Sequence, residues 1–458
     1  MNQSLEDTII AISTPAGSGG IGIVRISGPE ALAVASKIFS TREADLTRNP
    51  RAMCFGYLLD WEQGEKIDTG YICYFPARHS YTREDVVEIH LHGSPVLLAE
   101  AVRLGIKAGA RLAHPGEFTL RAYLNGRIDI IQAEAINDLI RASSLDQAKI
   151  SFRQLEGSLS RKITGIREKI LELLSLLETS LEFPEEELGL GTKQIEDSLN
   201  ALIDSLDKLL KTYEQGRAML EGLTIALLGK TNVGKSTLFN ALLQEERSIV
   251  TPYPGTTRDF IRENIMLDGI LMRLVDMAGF GQAQHPVEEE GIIRGQRMAE
   301  TADGLLIILD SSREEGPEDF YLLKKFGEKK KILVFNKYDL PEKINKKKIL
   351  GSYSDVPYVE ISALKGTNLD RLKEMMLKTF SPSREREEEI ILHERQKALL
   401  EEIAETLNRA LEMLRAGYGE ELVAEEIREV LPVIGQLTGE IKTQEVLDLI
   451  FSRFCLGK

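Results

Sequence analysis

The chain has 458 residues, a formal net charge of −15 and 43% hydrophobic residues, which is enough length and apolar content for two or three domains with cores of their own. The acidic balance argues against a generic nucleic-acid binder, which would be basic, although it leaves room for RNA held through a local patch.

Short strand-like runs dominate about residues 1–120, with helical stretches such as Pro95–Ala108 between them. This mixture predicts an α+β domain. The predicted strands are Thr8–Ser13, Ile21–Ile26, Gly70–Phe75 and Asp85–His92.

The glycine-rich segment Gly17–Gly22 formally matches G-x-G-x-x-G, a signature of dinucleotide binding. A strand-like run, Ile23–Ser27, follows it in place of the helix that such a site requires. We therefore interpret the segment as a connection leading into a strand.

The run Glu88–His92 alternates, so Glu88, His90 and His92 would share one face of a strand. Imidazole and carboxylate suit zinc or iron, which makes a metalloenzyme one alternative. No further acidic or cysteine ligand is spaced to complete a metal shell. A polar face that lines a small-molecule pocket is the preferred interpretation.

Helical spacing extends from about residue 128 to 215, is interrupted at Phe183–Leu188, and returns at 398–414 and 420–430. Each set of helices alone is amphipathic and needs a partner. We predict one helical domain interrupted by the segment between, with a charge-rich junction at 381–389; two separate bundles are the alternative. The lysine runs at 329–331 and 346–348 are interpreted as solvated surface, with an RNA-binding patch as the alternative.

Gly229–Ser236 has the sequence Gly-Lys-Thr-Asn-Val-Gly-Lys-Ser, which matches G-x-x-x-x-G-K-[ST]. It lies between a buried-strand pattern, Leu223–Leu228, and helical spacing over Thr237–Leu243. The two glycines let the backbone wrap an anion, so that loop N–H groups point at phosphate oxygens. Lys235 then places a charge near the β- and γ-phosphates, and Ser236 can ligate Mg²⁺.

Apolar strands alternate with helices over about residues 218–380, which predicts a doubly wound parallel sheet. Asp276 ends one strand, where it can hold the Mg²⁺ shell, and Gly279 beyond it can sense the γ-phosphate. Thr257, in the loop before that strand, could complete the Mg²⁺ coordination.

The segment Asn336–Asp339 ends another apolar strand. The Asp339 carboxylate can accept two hydrogen bonds from guanine that adenine cannot donate, which predicts GTP rather than ATP. A further strand, Val359–Leu364, ends in small residues that can offer backbone N–H groups to a base carbonyl.

Taken together, these elements resemble the G motifs of the TrmE–Era–Septin class of GTPases. The whole chain resembles the MnmE (TrmE) family of tRNA-modification GTPases, most specifically in Gly255–Asp259, Pro115–Phe118 and the tail Phe454–Lys458. The resemblance implies a multidomain fold: an N-terminal α+β folate-binding domain (1–120) through which the protein forms a homodimer, a discontinuous α-helical domain (121–217 and 381–458), and an inserted α/β P-loop GTPase domain (218–380). The GTP-binding residues that it implies are Asn232, Val233, Gly234, Lys235, Ser236, Thr237, Thr251, Thr256, Thr257, Asp276, Gly279, Asn336, Lys337, Asp339, Ser362, Ala363 and Leu364.

The residue after the predicted γ-phosphate sensor is Phe280, which cannot polarise water as the Gln of Ras-like enzymes does. The resemblance implies that a K⁺ ion acts in place of an arginine finger. It also implies two catalytic residues, Glu288, which orients the water, and Lys235. The alternative for Glu288 is a carboxylate at the start of a helix. The implied K⁺ ligands are Asn232, Thr251, Tyr253 and Thr256, and the implied Mg²⁺ ligands are Ser236 and Thr257.

Two positions depart from the family pattern. Met277 stands where threonine is common, which the retained Asp276 and Gly279 should tolerate. Gly281 replaces a residue that is often arginine in relatives, which puts any contact in trans from that position in doubt.

By the same resemblance, the N-terminal domain binds a 5-formyltetrahydrofolate-type one-carbon donor through Arg25, Glu88, Arg127 and Lys458. Cations suit the glutamate tail of a folate, and a carboxylate pairs with the pterin edge. Ordinary surface ion pairs are the alternative for the two arginines. Cys455 is either a nucleophile or a buried inert thiol.

The implied function is a K⁺-dependent GTPase that, with an FAD-dependent partner (MnmG, also GidA), forms carboxymethylaminomethyl or aminomethyl groups at C5 of wobble uridine 34 in certain tRNAs. The alternative is a ribosome-assembly GTPase switch without modification chemistry. That alternative predicts an RNA-binding module after the GTPase domain and no folate affinity.

Few, scattered cysteines (Cys54, Cys73 and Cys455) favour a reducing cytoplasm and no disulfide framework. We expect no secretory signal, because the first residues lack a cationic region, and no membrane span, because no apolar run is long enough.

Overall fold

The computed structural model describes residues 6–41, 45–182, 192–246, 261–277, 295–381, 390–441, 444–452, 454 and 457. The chain forms two compact units. The first contains Met1–Arg141, Ser151–Leu206 and Ala398–Lys458, and the second contains Ala142–Ile150 and Asp207–Lys397. No helix in the described part of the chain is long and apolar enough to cross a membrane.

A seven-stranded sheet forms the N-terminal part of the first unit, in the order β3-β4-β5-β6-β2-β1-β7. All its pairings are antiparallel except that of β1 with β7. Helices Ala31–Ile38 and Pro95–Lys107 contribute buried aliphatic side chains to one core with the sheet. The strands are β1 Ile9–Ile12, β2 Gly19–Ser27, β3 Phe39–Thr41, β4 Cys54–Asp60, β5 Glu65–Phe75, β6 Val86–Gly93 and β7 Arg111–Leu112.

This architecture confirms the predicted α+β domain. The glycine-rich segment leads into β2 and not into a helix, as its flanking residues predicted. The four predicted strands correspond to β1, β2, β5 and β6, whereas β3, β4 and β7 were not predicted.

The helices of the first unit come from both sides of Asp207–Lys397, the longer segment of the second unit, in sequence. Their helical-period residues, such as Ile163, Ile170 and Leu177 before it and Ile403 and Leu407 after it, are buried. Two ion pairs join early and late helices, because Arg415 lies 2.7 Å from Glu196 and Arg428 lies 2.7 Å from Glu178. The prediction of one interrupted helical domain is therefore confirmed, and the alternative of two separate bundles is wrong. The helices are Glu117–Leu124, Ile130–Arg141, Leu145–Leu155, Ser158–Glu182, Thr192–Lys211, Glu394–Arg415, Glu420–Arg428, Val430–Thr438 and Gln444–Phe451, of which the parts at 145–150, 207–211 and 394–397 belong to the second unit.

The second unit is built on a six-stranded sheet in the order β13-β12-β11-β8-β10-β9. Its strands are parallel except β9, which pairs antiparallel with β10 at one edge. The strands are β8 Leu223–Leu228, β9 Ile261–Leu267, β10 Ile270–Asp276, β11 Gly304–Asp310, β12 Lys331–Asn336 and β13 Tyr358–Glu360. Helices Tyr213–Glu221, Lys235–Glu246, Pro317–Lys325, Lys346–Ser352 and Leu369–Phe380 accompany the sheet, with a helical stretch at 295–301.

Strands of this sheet are buried on both faces, because successive side chains of β8 enter two different cores. Such strands are near-continuous apolar runs, which is why the sequence predicted them. Asp276, Asp310 and Asn336 each end a parallel strand. The carboxyl ends of parallel strands meet at one edge of the sheet, so these polar residues gather where an open α/β sheet binds its ligand.

Two sequence interpretations change in detail. The strand predicted at Val359–Leu364 ends at Glu360, and the residues after it form turns. In the lysine runs, Lys331 is buried and donates to the Phe326 and Gly327 carbonyls. Lys346 pairs with Glu342 and Glu360, and Lys348 pairs with Glu315. These contacts favour structural and surface roles over an RNA-binding patch.

Candidate functional site

The loop after β8 has a backbone that few residue types can adopt. Gly229, Asn232 and Gly234 have φ of 157°, 65° and 96°. A Cβ on Gly229 would lie 2.5 Å from the Ile308 carbonyl oxygen, and one on Gly234 would overlap the Asn336 side chain. The glycines are therefore required by close packing as well as by φ. The loop leads directly into the N-terminus of helix Lys235–Glu246, where backbone N–H groups favour an anion.

Lys235 supplies the positive charge of this loop. Its Nζ donates to the carbonyl oxygens of Gly229 (3.0 Å) and Lys230 (2.8 Å), and the residue is 8% exposed. Burial lowers the pKa of Lys235, and the nearby Asp276 carboxylate partly opposes that shift. A buried ammonium of this kind is stabilised by an anion that enters the loop.

Next to Lys235, the side chains of Ser236 and Asp276 form a pair of oxygen ligands for a cation. The Ser236 hydroxyl donates to Asp276 Oδ2 at 2.7 Å. The other carboxylate oxygen, Oδ1, is buried and has no hydrogen-bond partner among the described residues. An orphaned, buried carboxylate oxygen is costly unless a cation or water satisfies it. Hard oxygen donors beside a phosphate loop fit Mg²⁺.

The side chain of Asn336 joins two loops. It is 2% exposed, its Nδ2 donates to the Val233 carbonyl (2.8 Å), and its Oδ1 accepts from the Ala363 N–H (3.0 Å). Lys337, with φ of 64°, makes a second link by donating to the Asn232 carbonyl at 2.9 Å. This segment therefore braces the phosphate loop from the end of β12, which is separated from β8 by β11.

Asp339 lies in the same segment and is partly exposed. A hydrogen bond from Ser362 lowers the pKa of Asp339, and the charges of Lys365 and Lys337 act in the same direction. The carboxylate is thus ionised at neutral pH, the form that accepts two donors from a base edge. Ala363 is buried, whereas Leu364 is 80% exposed.

Sequence reasoning missed three residues here. Asp310 ends β11 and accepts from Lys337 Nζ at 2.6 Å. Lys230, inside the loop, pairs with Asp319 at 2.6 Å. The only signal for Asp310 was an acid at the end of an apolar run, and nothing local predicted the pairing of Lys230 with Asp319.

Several predicted residues lie outside the described part of the chain. They are Thr251, Tyr253, Thr256, Thr257, Gly279, Phe280, Gly281, Glu288, Cys455 and Lys458. Of the remaining loop residues, Val233 is buried and Thr237 is exposed.

A second polar cluster lies on the N-terminal sheet, where Arg25 of β2 pairs with Glu88 of β6. Arg25 Nη2 and Nε donate to one Glu88 oxygen at 2.7 and 3.0 Å. The guanidinium groups of Arg25 and Arg127 lie 5.6 and 5.4 Å from the centre of the Tyr81 ring. The structure therefore brings Arg25, Glu88 and Arg127 together around one aromatic side chain. The Arg25–Glu88 pair is largely buried, with side chains 16% and 17% exposed, so it is not an ordinary surface pair.

The histidines of this face do not form a metal site with Glu88. His90 lies 3.6 Å from Glu88, whereas His92 pairs with Asp68 at 2.7 Å. Among the residues that the structure describes, no group of three or more His, Cys, Asp or Glu side chains is placed to hold a metal ion.

Contact with His90 and the charge of Arg25 hold the pKa of Glu88 at about 2, against the opposing effect of burial. A carboxyl whose pKa is depressed from an ordinary value of 4.5 stabilises the fold above that value and loses the effect as pH falls through about 2. We expect Glu88→Gln to lower the free energy of unfolding by about 3 kcal/mol at pH 7 and by about half as much at pH 3. The measurement is urea unfolding followed by fluorescence of Trp61, the single tryptophan, which lies in this domain.

Glu100→Gln provides the control, because Glu100 pairs with Arg103 at a more exposed position on a helix. An equal loss in both variants, or a Glu88→Gln loss that does not change with pH, would contradict the assignment of the shift to the Arg25 and His90 contacts.

The parallel sheet, the glycine loop with its buried lysine, the Ser–Asp oxygen pair and the Asn-Lys-x-Asp segment define a P-loop GTP-binding domain, inserted into a helical domain. Two family models match the chain: the GTP-binding protein TrmE N-terminus at residues 8–127 and the MnmE helical domain at residues 130–455. The chain therefore belongs to the MnmE family of tRNA modification GTPases.

Full-length relatives agree with this assignment. The chain is 42% identical to the tRNA modification GTPase MnmE of Aquifex aeolicus over 456 residues, which cover 99% of this chain and 100% of that protein. It is 40% identical to the MnmE of Syntrophotalea carbinolica over 458 residues, 99% of each chain.

Among solved structures, Aquifex aeolicus Era bound to GDP·AlF4⁻ is similar over 40% of this chain and 66% of its own, with 28% identity and a TM-score of 0.30. The G domain of the T. maritima FeoB iron transporter is similar over 34% of this chain and 98% of its own, with 27% identity and a TM-score of 0.27.

Proposed function

We propose that this protein hydrolyses GTP in a K⁺-dependent reaction and, with an FAD-dependent partner, uses the cycle to modify C5 of wobble uridine 34 in certain tRNAs. The observation that carries the GTP part is the phosphate loop, in which a buried Lys235 and the orphaned Asp276 oxygen lie beside a helix N-terminus. Full-length similarity to tRNA modification GTPases supports the tRNA part.

In the phosphate site, Lys235 donates to oxygens of the β- and γ-phosphates, and loop N–H groups bind the remaining oxygens. Ser236, Asp276 and, by resemblance, Thr257 hold Mg²⁺. When bound, Mg²⁺ neutralises charge on the phosphates. At the base, Asp339 accepts from guanine, while Asn336 keeps the phosphate loop and the 362–364 segment in register.

The hydrolytic step needs an oriented water and a further positive charge. Because Phe280 can supply neither, we assign water orientation to Glu288 and the charge to a K⁺ ion held by Asn232, Thr251, Tyr253 and Thr256. Asn232 is exposed in the loop, and its side-chain amide oxygen is the ligand that we assign to K⁺. Replacing K⁺ by Na⁺ at constant ionic strength should lower turnover at least tenfold; unchanged turnover would overturn this part.

The cluster of Arg25, Glu88 and Arg127 is the site we propose for a 5-formyltetrahydrofolate-type donor. Two cations suit the anionic glutamate tail, the ionised Glu88 suits donors on the pterin edge, and the Tyr81 ring offers an apolar surface. The C-terminal tail supports a contribution from Lys458, because the Gly457 carbonyl accepts a hydrogen bond from Ser13, which follows β1. The strand β1 pairs with β2, the strand that carries Arg25.

The proposed working form is a homodimer through the N-terminal domains, joined by MnmG and tRNA in the cytoplasm. We further propose that closure of the GTPase domains on GTP reorganises the shared modification site. The ribosome-assembly alternative predicted an RNA-binding module after the GTPase domain, whereas residues 398–458 belong to the same compact unit as the N-terminal sheet.

The deciding experiment is mass analysis of wobble uridine in tRNA from cells that lack this protein. We expect the C5-modified nucleoside to disappear and to return with the wild-type gene. Normal modification of wobble uridine in the deleted strain would contradict the proposed role in tRNA modification. It would not bear on the proposed GTP site, which the nucleotide-binding experiments test separately.

A further inference from the structure

In the described part of the chain, side-chain contacts from outside hold the first part of the phosphate loop, residues 229–234, at three points, and two of them involve the Asn336–Lys337 segment. The side chain of Asn336 donates a hydrogen bond to the Val233 carbonyl, and the side chain of Lys337 donates one to the Asn232 carbonyl. The third is the side chain of Lys230, the second residue of the loop, which reaches a separate element, helix Pro317–Lys325.

The third contact is a short and largely buried ion pair. Lys230 Nζ lies 2.6 Å from Asp319 Oδ2, with side chains 24% and 8% exposed, and Glu318 adds a second carboxylate at 3.9 Å. The same Asp319 oxygen accepts the Gly316 N–H at 2.8 Å at the start of the helix. Exposed ion pairs contribute little, but truncating one partner of a desolvated pair leaves the other charge buried and unpaired.

The backbone of the same residue is part of the phosphate site. Lys235 Nζ donates hydrogen bonds to the Lys230 carbonyl at 2.8 Å and to the Gly229 carbonyl at 3.0 Å. Gly229 in turn packs against the backbone of β11 at Ile308. The side chain of Lys230 therefore fixes, from the helix, the orientation of a peptide group that the buried ammonium touches.

We propose that Lys230 is a positioning residue for GTP: its ion pair with Asp319 holds the first half of the phosphate loop in the shape that binds the β- and γ-phosphates. This inference rests on the proposed GTP site. Lys230 acts through the loop backbone and through Lys235, and its ammonium stays with Asp319 when nucleotide binds.

The test uses the full chain and a fluorescent GDP analogue in equilibrium titration, together with steady-state GTP hydrolysis and thermal melting. Lys230→Met should raise the analogue's Kd and the KM for GTP about fivefold to tenfold, with kcat within about twofold of wild type. Lys230→Arg, which keeps the charge, should restore most of the affinity. Gly316→Ala should give a smaller loss, because a Cβ there would lie 2.7 Å from Lys230 Nζ and displace the ammonium.

Two comparisons separate positioning from general stability. Lys348→Met removes an ion pair of the same domain, with Glu315 at 3.0 Å. No hydrogen bond or ion pair between described residues joins Lys348 or Glu315 to the loop, so this change should leave Kd and KM unchanged. In the double variant Lys230→Met with Asp319→Asn, affinity should be no weaker than in Lys230→Met alone, because both changes remove one interaction.

A Kd in Lys230→Met within twofold of wild type would overturn the inference, and so would additive losses in the double variant. A parallel fall of kcat and melting temperature without rescue by arginine would show a purely structural role and would also overturn it. If the wild-type chain itself fails to bind the analogue, the proposed GTP site is wrong, which is a different outcome.

Discussion

Replacing Lys235 by alanine should lower the affinity for GTP and GDP about 100-fold or more and reduce hydrolysis below about 1% of the wild-type rate. The reason is the placement of the charge. Lys235 is 8% exposed, its ammonium donates to two loop carbonyls, and no other lysine or arginine in the described part of the chain donates to those carbonyls. Nucleotide affinity is measured by titration with a fluorescent analogue and turnover by phosphate release.

The same variant should fold normally without nucleotide. Burial lowers the pKa of Lys235, which means that the folded, empty site disfavours the charged ammonium. Removing it therefore costs little stability until phosphates are present. Lys348→Ala, on the same domain but away from the loop, should bind and hydrolyse GTP as wild type does. Wild-type affinity in Lys235→Ala would contradict the assignment of the phosphate charge to this residue.

The GTPase domain could be predicted from sequence because the patterns that identify it lie in contiguous stretches of the chain. The strand β8, the glycine loop and the helix from Lys235 are contiguous, and strands buried on both faces are unbroken apolar runs. The prediction failed where the pattern is weak. In β4 the outward residues Phe55 and Tyr57 are aromatic, so the strand shows no alternation of apolar and polar side chains.

The phosphate site was predicted as far as its residues share a motif. Lys235, Ser236 and Asp276 lie together as expected. The role of Asn336 could not be predicted, because its two hydrogen bonds reach residues 103 and 27 positions away in sequence. Contacts of that kind depend on strand order, which no local pattern encodes.

The polar cluster of the N-terminal domain is a similar case. Alternation placed Glu88 and His90 on one face, but the pairing of Glu88 with Arg25 depends on β2 lying next to β6, although 63 residues separate the pair. Tyr81 was not singled out, since nothing in its neighbourhood predicts two guanidinium groups over its ring.

The second large effect that we expect is a change of nucleotide base specificity when Asp339 is replaced by asparagine. Guanine offers N1–H and an amino group to the Asp339 carboxylate, whereas xanthine has a carbonyl oxygen in place of that amino group. An asparagine at 339 would accept from N1–H and donate to the carbonyl oxygen of xanthine. We expect Asp339→Asn to reduce GTP affinity about 100- to 1,000-fold and to bind xanthosine triphosphate with an affinity close to that of wild type for GTP, because such sites reject analogues that leave polar groups unpaired.

The gain with xanthosine triphosphate is the internal control, since a misfolded or loosened site would bind neither nucleotide. Ser362, which hydrogen-bonds Asp339 in the wild type, can also hydrogen-bond an asparagine, so the loop should keep its shape. Adenosine triphosphate should bind poorly to both forms, because adenine lacks the N1–H donor that either side chain needs. Hydrolysis of each triphosphate at several concentrations measures the switch. If Asp339→Asn still prefers GTP, another residue recognises the base. The segment with the exposed Leu364 is then the next candidate for mutation.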